Sequence, residues 1–220
     1  MVVNTFLILF LLTFVSKYYS FFWNINQQTF MKYILLFFLQ SIFYITGNAQ
    51  ITTDISWVEK SSMNAADVIY YNANKKLSWA DFKGAQGPPS VVAAITSSGF
   101  GYKAGMHSSN GKGEINVSVY CYFSKPNSWV RKGKTTAYIL NHEQHHFDAT
   151  YICAKMFIDK VKASKLTTSN MNDVLAKLYK ECAANMHKMQ ADYDGETKNG
   201  QLKDKQQKWN NFFDEKLAAL

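Results

Sequence analysis

Apolar positions along the chain fall into two periods. Ile115, Val117, Val119, Cys121 and Phe123 alternate with Asn116, Ser118, Tyr120 and Tyr122. A period of two predicts a half-buried antiparallel strand. Val68–Tyr71 and Val91–Tyr102 predict further strands, and Gly87-Pro88-Pro89 a break between them. Gly105–Gly113 is turn-rich and predicts a hairpin loop carrying His107 at the surface. From Ala137 to Val161 there is no Pro or Gly, and the period changes to 3.6. Ile139, Leu140, Phe147, Ala154, Phe157, Ile158 and Val161 form one stripe about 100° wide, which predicts a long amphipathic helix.

Met171, Leu175, Leu178, Cys182, Met186 and Met189 predict a second helix, opened by capping residues in Thr167–Asn170. Its Met-rich stripe reads as core. Tyr193–Gly200 predicts a break, with Gly195 near the first position past the helix end. Leu202–Leu220 predicts a last amphipathic helix holding Trp209 and Phe212. Together these elements predict an α+β fold: a small, mainly antiparallel sheet packed on the 137–161 helix, with a C-terminal helical part.

The first 49 residues have a different pattern. Phe6–Val15 is one apolar run; a second follows Met31-Lys32 and ends near Ile45, before Gly47-Asn48-Ala49. A basic start, about a dozen apolar residues and small residues before a cut predict a signal peptide over 31–49, cleaved after Ala49. Residues 1–30 then read as an over-extended start or an extra hydrophobic segment. Each run falls short of the about 20 residues of a membrane span. The expectation is an exported chain, periplasmic or extracellular in a bacterium, with one domain at 50–220 and no membrane span in its mature form.

Charge and cysteines add little. The 24 basic residues include Lys17 and Lys32, so residues 50–220 carry 22 against 16 acids, a net +6. The lysines are scattered, and Arg131 is the sole arginine. No basic stripe interleaved with aromatics points to nucleic acid. Cys121, Cys153 and Cys182 allow one disulfide after export; Cys153 and Cys182 pair if their helices are neighbours, and otherwise all three are buried thiols.

The candidate chemistry lies in His142-Glu143-Gln144-His145-His146. Residues four apart on a helix share a face, so His142 and His146 can ligate one zinc at about 2.0–2.1 Å. Zinc lowers the pKa of a water it binds to about 7, and Glu143, one residue on, is placed to take the proton. Glu143 falls inside the apolar stripe, where an unpaired carboxylate would be costly to bury. A metal site in a cleft accounts for it. His145 and Asp148 point to the other side of the helix, which reads as a solvated face. A catalytic zinc wants a third protein ligand. Glu181, His187, Asp194 and Glu196 are candidates, and periodicity does not choose among them.

Four motifs in order, Leu77-Ser-Trp-Ala-Asp-Phe-Lys-Gly84, Ser128-Trp129-Val130, His142-Glu-Gln-His-His-Phe-Asp148 and Tyr193-Asp-Gly-Glu-Thr-Lys-Asn-Gly200, resemble the bacterial domain-of-unknown-function family 922. The resemblance covers most of residues 57–220. That family is regarded as secreted zinc-dependent proteases of the zincin type. The resemblance implies a zincin-like fold, His142 and His146 as zinc ligands, Glu143 as general base, and a peptide or protein substrate. It favours Asp194 as third ligand. Many members have His where this chain has Asn199. Tyr193, His187 and Asn199 are candidate donors to an oxyanion, and the 115–123 strand, if at a sheet edge, could pair with an extended substrate. Two other functions use the same residues: an envelope binding or scaffold protein with degenerate chemistry, and a zinc amidase acting on cell-wall peptides.

Overall fold

The alternating stretch becomes the centre of the sheet. In a computed structural model that describes residues 51–87, 92–109 and 112–220, together with Lys32, it forms β5 (Lys112–Ser124). The predicted signal peptide apart from Lys32, residues 1–30, Pro88-Pro89 and Val91 lie outside the described residues. The chain divides into Met1–Ala49 and Gln50–Leu220, and every strand and helix named here belongs to the second unit. Among the described residues no helix is long and apolar enough to cross a membrane.

The inward side chains of β5, from Ile115 to Phe123, are each at most 1% exposed. β4 (Ser98–Ser109) runs antiparallel along one edge of β5, with Ser109 opposite Lys112. The other edge is shared. β1 (Ile51–Trp57) pairs in parallel with Gly113–Val119, and β2 (Val68–Tyr70) pairs antiparallel with Tyr122–Ser124. A two-residue ribbon, β3 (Ala94–Ile95) against β6 (Trp129–Val130), stands apart.

Two strand expectations are corrected. Residues 105–109 are strand rather than loop, and exposed His107 sits opposite Glu114. A full ladder with β5 satisfies their backbone whatever their Gly and Ser content, so pairing overrides propensity. β5 is also no edge strand. Val119 pairs with Trp57 on one side and Tyr102 on the other, so β5 has no free backbone edge there for a substrate.

Three helices follow: α1 (Ala137–Ala163), α2 (Met171–Thr197) and α3 (Lys203–Ala218). Thr136 caps α1, its Oγ1 accepting the Ile139 N–H at 3.2 Å. Phe147, Ala154, Phe157, Ile158 and Val161 of α1 meet the inner face of β5, and Leu175, Cys182 and Met186 of α2 close the core. Each large apolar side chain so buried contributes about 1.5–3 kcal/mol. The fold is therefore α+β, a small, mainly antiparallel sheet packed on α1 with a helical C-terminal part. The three cysteines are free and buried, and burial pushes the Cys153 thiol up to about 12.

The predicted break at 193–200 falls later than expected. α2 continues through Gly195 to Thr197, and the reversal is made by Lys198, Asn199 and Gly200 at φ 50°, 51° and 76°. One glycine costs a helix about 1 kcal/mol against alanine, less than fully burying Tyr193 and Thr197 on either side contributes.

The far side of α1 is likewise not solvated. Phe213 of α3 stacks on the His145 ring at 4.7 Å. Asp148 is fully buried and accepts hydrogen bonds from Tyr71 Oη (2.9 Å), Gln144 Nε2 (2.9 Å) and His145 Nδ1 (3.0 Å), with Lys76 Nζ at 3.8 Å. Burial pushes its carboxyl up, but the His145 bond, the Lys76 charge and the Gln144 bond outweigh it and hold it below the ordinary value. A stripe read from one helix shows which face is apolar; it does not show that a third helix covers the polar one.

Candidate metal centre

The motif helix is held in register by the sequence around it. Gln144 Oε1 accepts the Leu77 N–H at 2.8 Å, which ties α1 to the Leu77–Gly84 motif. A ring chain, Trp79 on Phe82 on Phe123 on Phe147, runs from that motif back to α1. Gly84 ends the motif because a Cβ there would lie 2.6 Å from the Pro126 carbonyl. Fully buried Ser128 donates to the Ser124 carbonyl at 2.7 Å and accepts the Ser97 N–H at 2.9 Å, fixing the approach to β3. Thr96 Oγ1 then donates to the Glu143 carbonyl at 3.1 Å.

On this frame His142 and His146 turn their Nε2 atoms toward one point, 3.3 Å apart. Asp194 Oδ1, from the last turns of α2, lies 3.1 Å from each. The three donor atoms form a compact triangle that could hold a metal ion. Burial pushes the Asp194 carboxyl up, but the bonds to His142 and His146 and the charge on the rings outweigh it and hold it well below the carboxylate range. For His142, burial lowers, yet the Asp194 bond, the Glu143 charge and the Gln206 bond win and hold the ring above its ordinary value. A metal and a proton therefore compete for the same nitrogens.

Glu143 is 3% exposed and lines the same cleft, a cavity of about 910 Å³. Its Oε2 is buried with no hydrogen-bond partner among the described residues. A carboxylate oxygen left so beside a metal-donor triangle fits a group awaiting a ligand rather than a satisfied core residue.

The other third-ligand candidates are elsewhere. Glu181 pairs with Lys160 at 2.9 Å, Glu196 accepts the Trp209 indole N–H at 2.9 Å, and His187 is exposed outside the cleft. Among the proposed oxyanion donors, Tyr193 is fully buried and points away: it takes a bond from Gln206 and donates to the His142 carbonyl. Asn199 is exposed and lines the cleft, as does Tyr138, whose hydroxyl donates to the Gly200 carbonyl at 2.6 Å.

Gln206 of α3 lies outside every motif that the sequence marks as chemistry. It is 1% exposed, and its Oε1 accepts from His142 Nδ1 at 2.9 Å. An amide oxygen only accepts, so Nδ1 carries the hydrogen and Nε2 keeps its lone pair for the metal. Gln206 Nε2 donates in turn to Tyr193 Oη and Asn210 Oδ1, which fixes the amide's orientation. A signal existed: Leu202, Gln206, Trp209 and Phe213 share one helical face, where a polar residue stands out as Glu143 does. Gly200 completes the fit, since a Cβ would lie 3.3 Å from His142 Nδ1 at a backbone φ of 76°. Gln206→Met is expected to lower metal affinity about 10–100-fold with the fold intact. Competition with a chelator, beside circular dichroism, measures it; unchanged affinity would show that the ring needs no such partner.

Comparison with protein-family models, with curated proteins and with solved structures gave no match for this chain.

Proposed function

We propose that the protein is an exported zinc-dependent peptidase, in keeping with its resemblance to domain-of-unknown-function family 922. The observation that carries the reading is the donor triangle. A tetrahedral ion with ligands at about 2.0–2.1 Å has donor–donor edges near 3.3 Å. The edges here are 3.3, 3.1 and 3.1 Å. Two imidazoles and one carboxylate lining an open cleft are a donor set that would suit a catalytic zinc.

Zinc, when bound, supplies Lewis acidity toward a peptide carbonyl and lowers the pKa of water at the site. His142 and His146 turn their Nε2 atoms toward that position, and Gln206 keeps His142 in the tautomer that leaves its Nε2 to a metal. Glu143 Oε2, without a hydrogen-bond partner among the described residues, takes the proton of the attacking water and returns it to the leaving amine. Ala93, Ala94 and Ile95 along the cleft give an extended chain an apolar wall.

The purified protein is expected to hold about one zinc per chain and to cut an unstructured protein such as casein. Asp194→Ala is expected to lose most of the metal and the cleavage together. Metal analysis beside a cleavage assay tests both. Zinc retained with no peptide of a broad pool cut would favour the binding or scaffold function instead.

A further inference from the structure

The cleft is unevenly charged. Arg131, Lys134 and Lys203 line it with three positive charges, and its carboxylates are Glu143 and Asp194, both at the metal position. A divalent ion there offsets those two, so the space a substrate occupies is left net cationic. Among the described residues neither Lys134 nor Lys203 forms an ion pair, although Lys76, Lys160 and Lys188 do.

The placement is built. Gly133 at φ 78° closes a tight turn in which the Lys134 N–H meets the Arg131 carbonyl at 3.0 Å, so both charges are displayed from one turn. Arg131 is the single arginine among 24 basic residues. Its Nε donates to the Val92 carbonyl at 2.8 Å, and its guanidinium lies over the Trp129 ring at 5.1 Å, which holds the charge in place. Lys203 comes from a second segment, the first turn of α3, just past the reversal at Gly200.

We propose that this cleft selects peptides carrying carboxylates near the bond to be cut. The inference rests on the peptidase reading and narrows its substrate class. An Asp or Glu side chain and a free C-terminus both supply that carboxylate, and the recognising chemistry is the same. Cations at a cleft mouth steer anionic chains inward and hold them by solvent-exposed ion pairs, an effect that salt screens.

The test uses the zinc-loaded protein, a Glu143→Gln form that retains peptides without cutting, and paired peptides. Each pair differs by Asp or Glu against Asn or Gln, or by a free against an amidated C-terminus. Acidic peptides are expected to be retained and cut about tenfold better, an advantage that shrinks at high salt. A Lys134→Glu, Lys203→Glu double variant, checked for full zinc content and unchanged circular dichroism, is expected to lose or reverse the preference; Lys203→Gln alone should reduce it. An effect confined to free C-termini assigns the chain end as the source. Equal handling of acidic and amide partners, or a preference untouched by the double variant, overturns the inference and leaves the peptidase reading standing. Acidic retention without any cleavage by the unmodified protein overturns the peptidase reading instead. Neither retention nor cleavage of any peptide removes both.

Discussion

Glu143→Gln is expected to keep its metal and to lose turnover by a factor on the order of 10²–10⁴, the usual contribution of a positioned general base. Two features of the site separate those outcomes. The donor triangle is complete with His142, His146 and Asp194, so affinity should not depend on Glu143. The buried Oε2, unpartnered among the described residues, is the atom that an amide cannot replace as a base. Metal content per chain and kcat on one peptide, measured side by side, give the answer. A variant that loses its metal would make Glu143 a ligand; one that turns over normally would end its role as the base.

The second large effect is on stability. Asp148→Ala is expected to destabilise the protein by about 3–5 kcal/mol, because Tyr71 Oη, Gln144 Nε2 and His145 Nδ1 are left buried without their acceptor. For a domain of this size that lowers Tm by roughly 10 °C. The effect has a pH signature. The folded carboxyl lies below its ordinary value, so its contribution is full above about pH 4 and is lost as pH falls through the depressed folded value. Thermal unfolding of both forms from pH 8 downward reads it. The gap should hold at neutral pH and narrow in acid; a gap under 1 kcal/mol at neutral pH would mean that Lys76, His145 and Tyr71 find other partners. Because Gln144 and His145 lie inside the motif, the same variant should also loosen the site.

These two residues divide what the chain makes legible from what it does not. Glu143 stood out because a carboxylate on an apolar stripe needs an explanation, and local period is enough to see it. Asp148 sits on the opposite side of the same helix, where local period predicts a solvated face. Its burial depends on Tyr71 from beyond β2 and on α3 covering His145 with Phe213, contacts made across 60 to 80 positions of chain. The third ligand divides the same way. Periodicity does not choose among Asp194, Glu196, Glu181 and His187; the crossing of α2 against α1 brings the first of them within 3.1 Å of both imidazoles.

The sequence by itself determined the strand at 115–123, the 137–161 helix, the two later helices and the His142–Glu143–His146 spacing, because each is set by neighbours within one or two turns. It did not determine the reach of β4, the central place of β5 or the continuation of α2 through Gly195, where long-range pairing and burial outweigh local preference. Only the tertiary structure brought Asp194 and Gln206 to His142. A metal site joins donors by distance in space, and the chain's spacing encodes that distance only within a single helix.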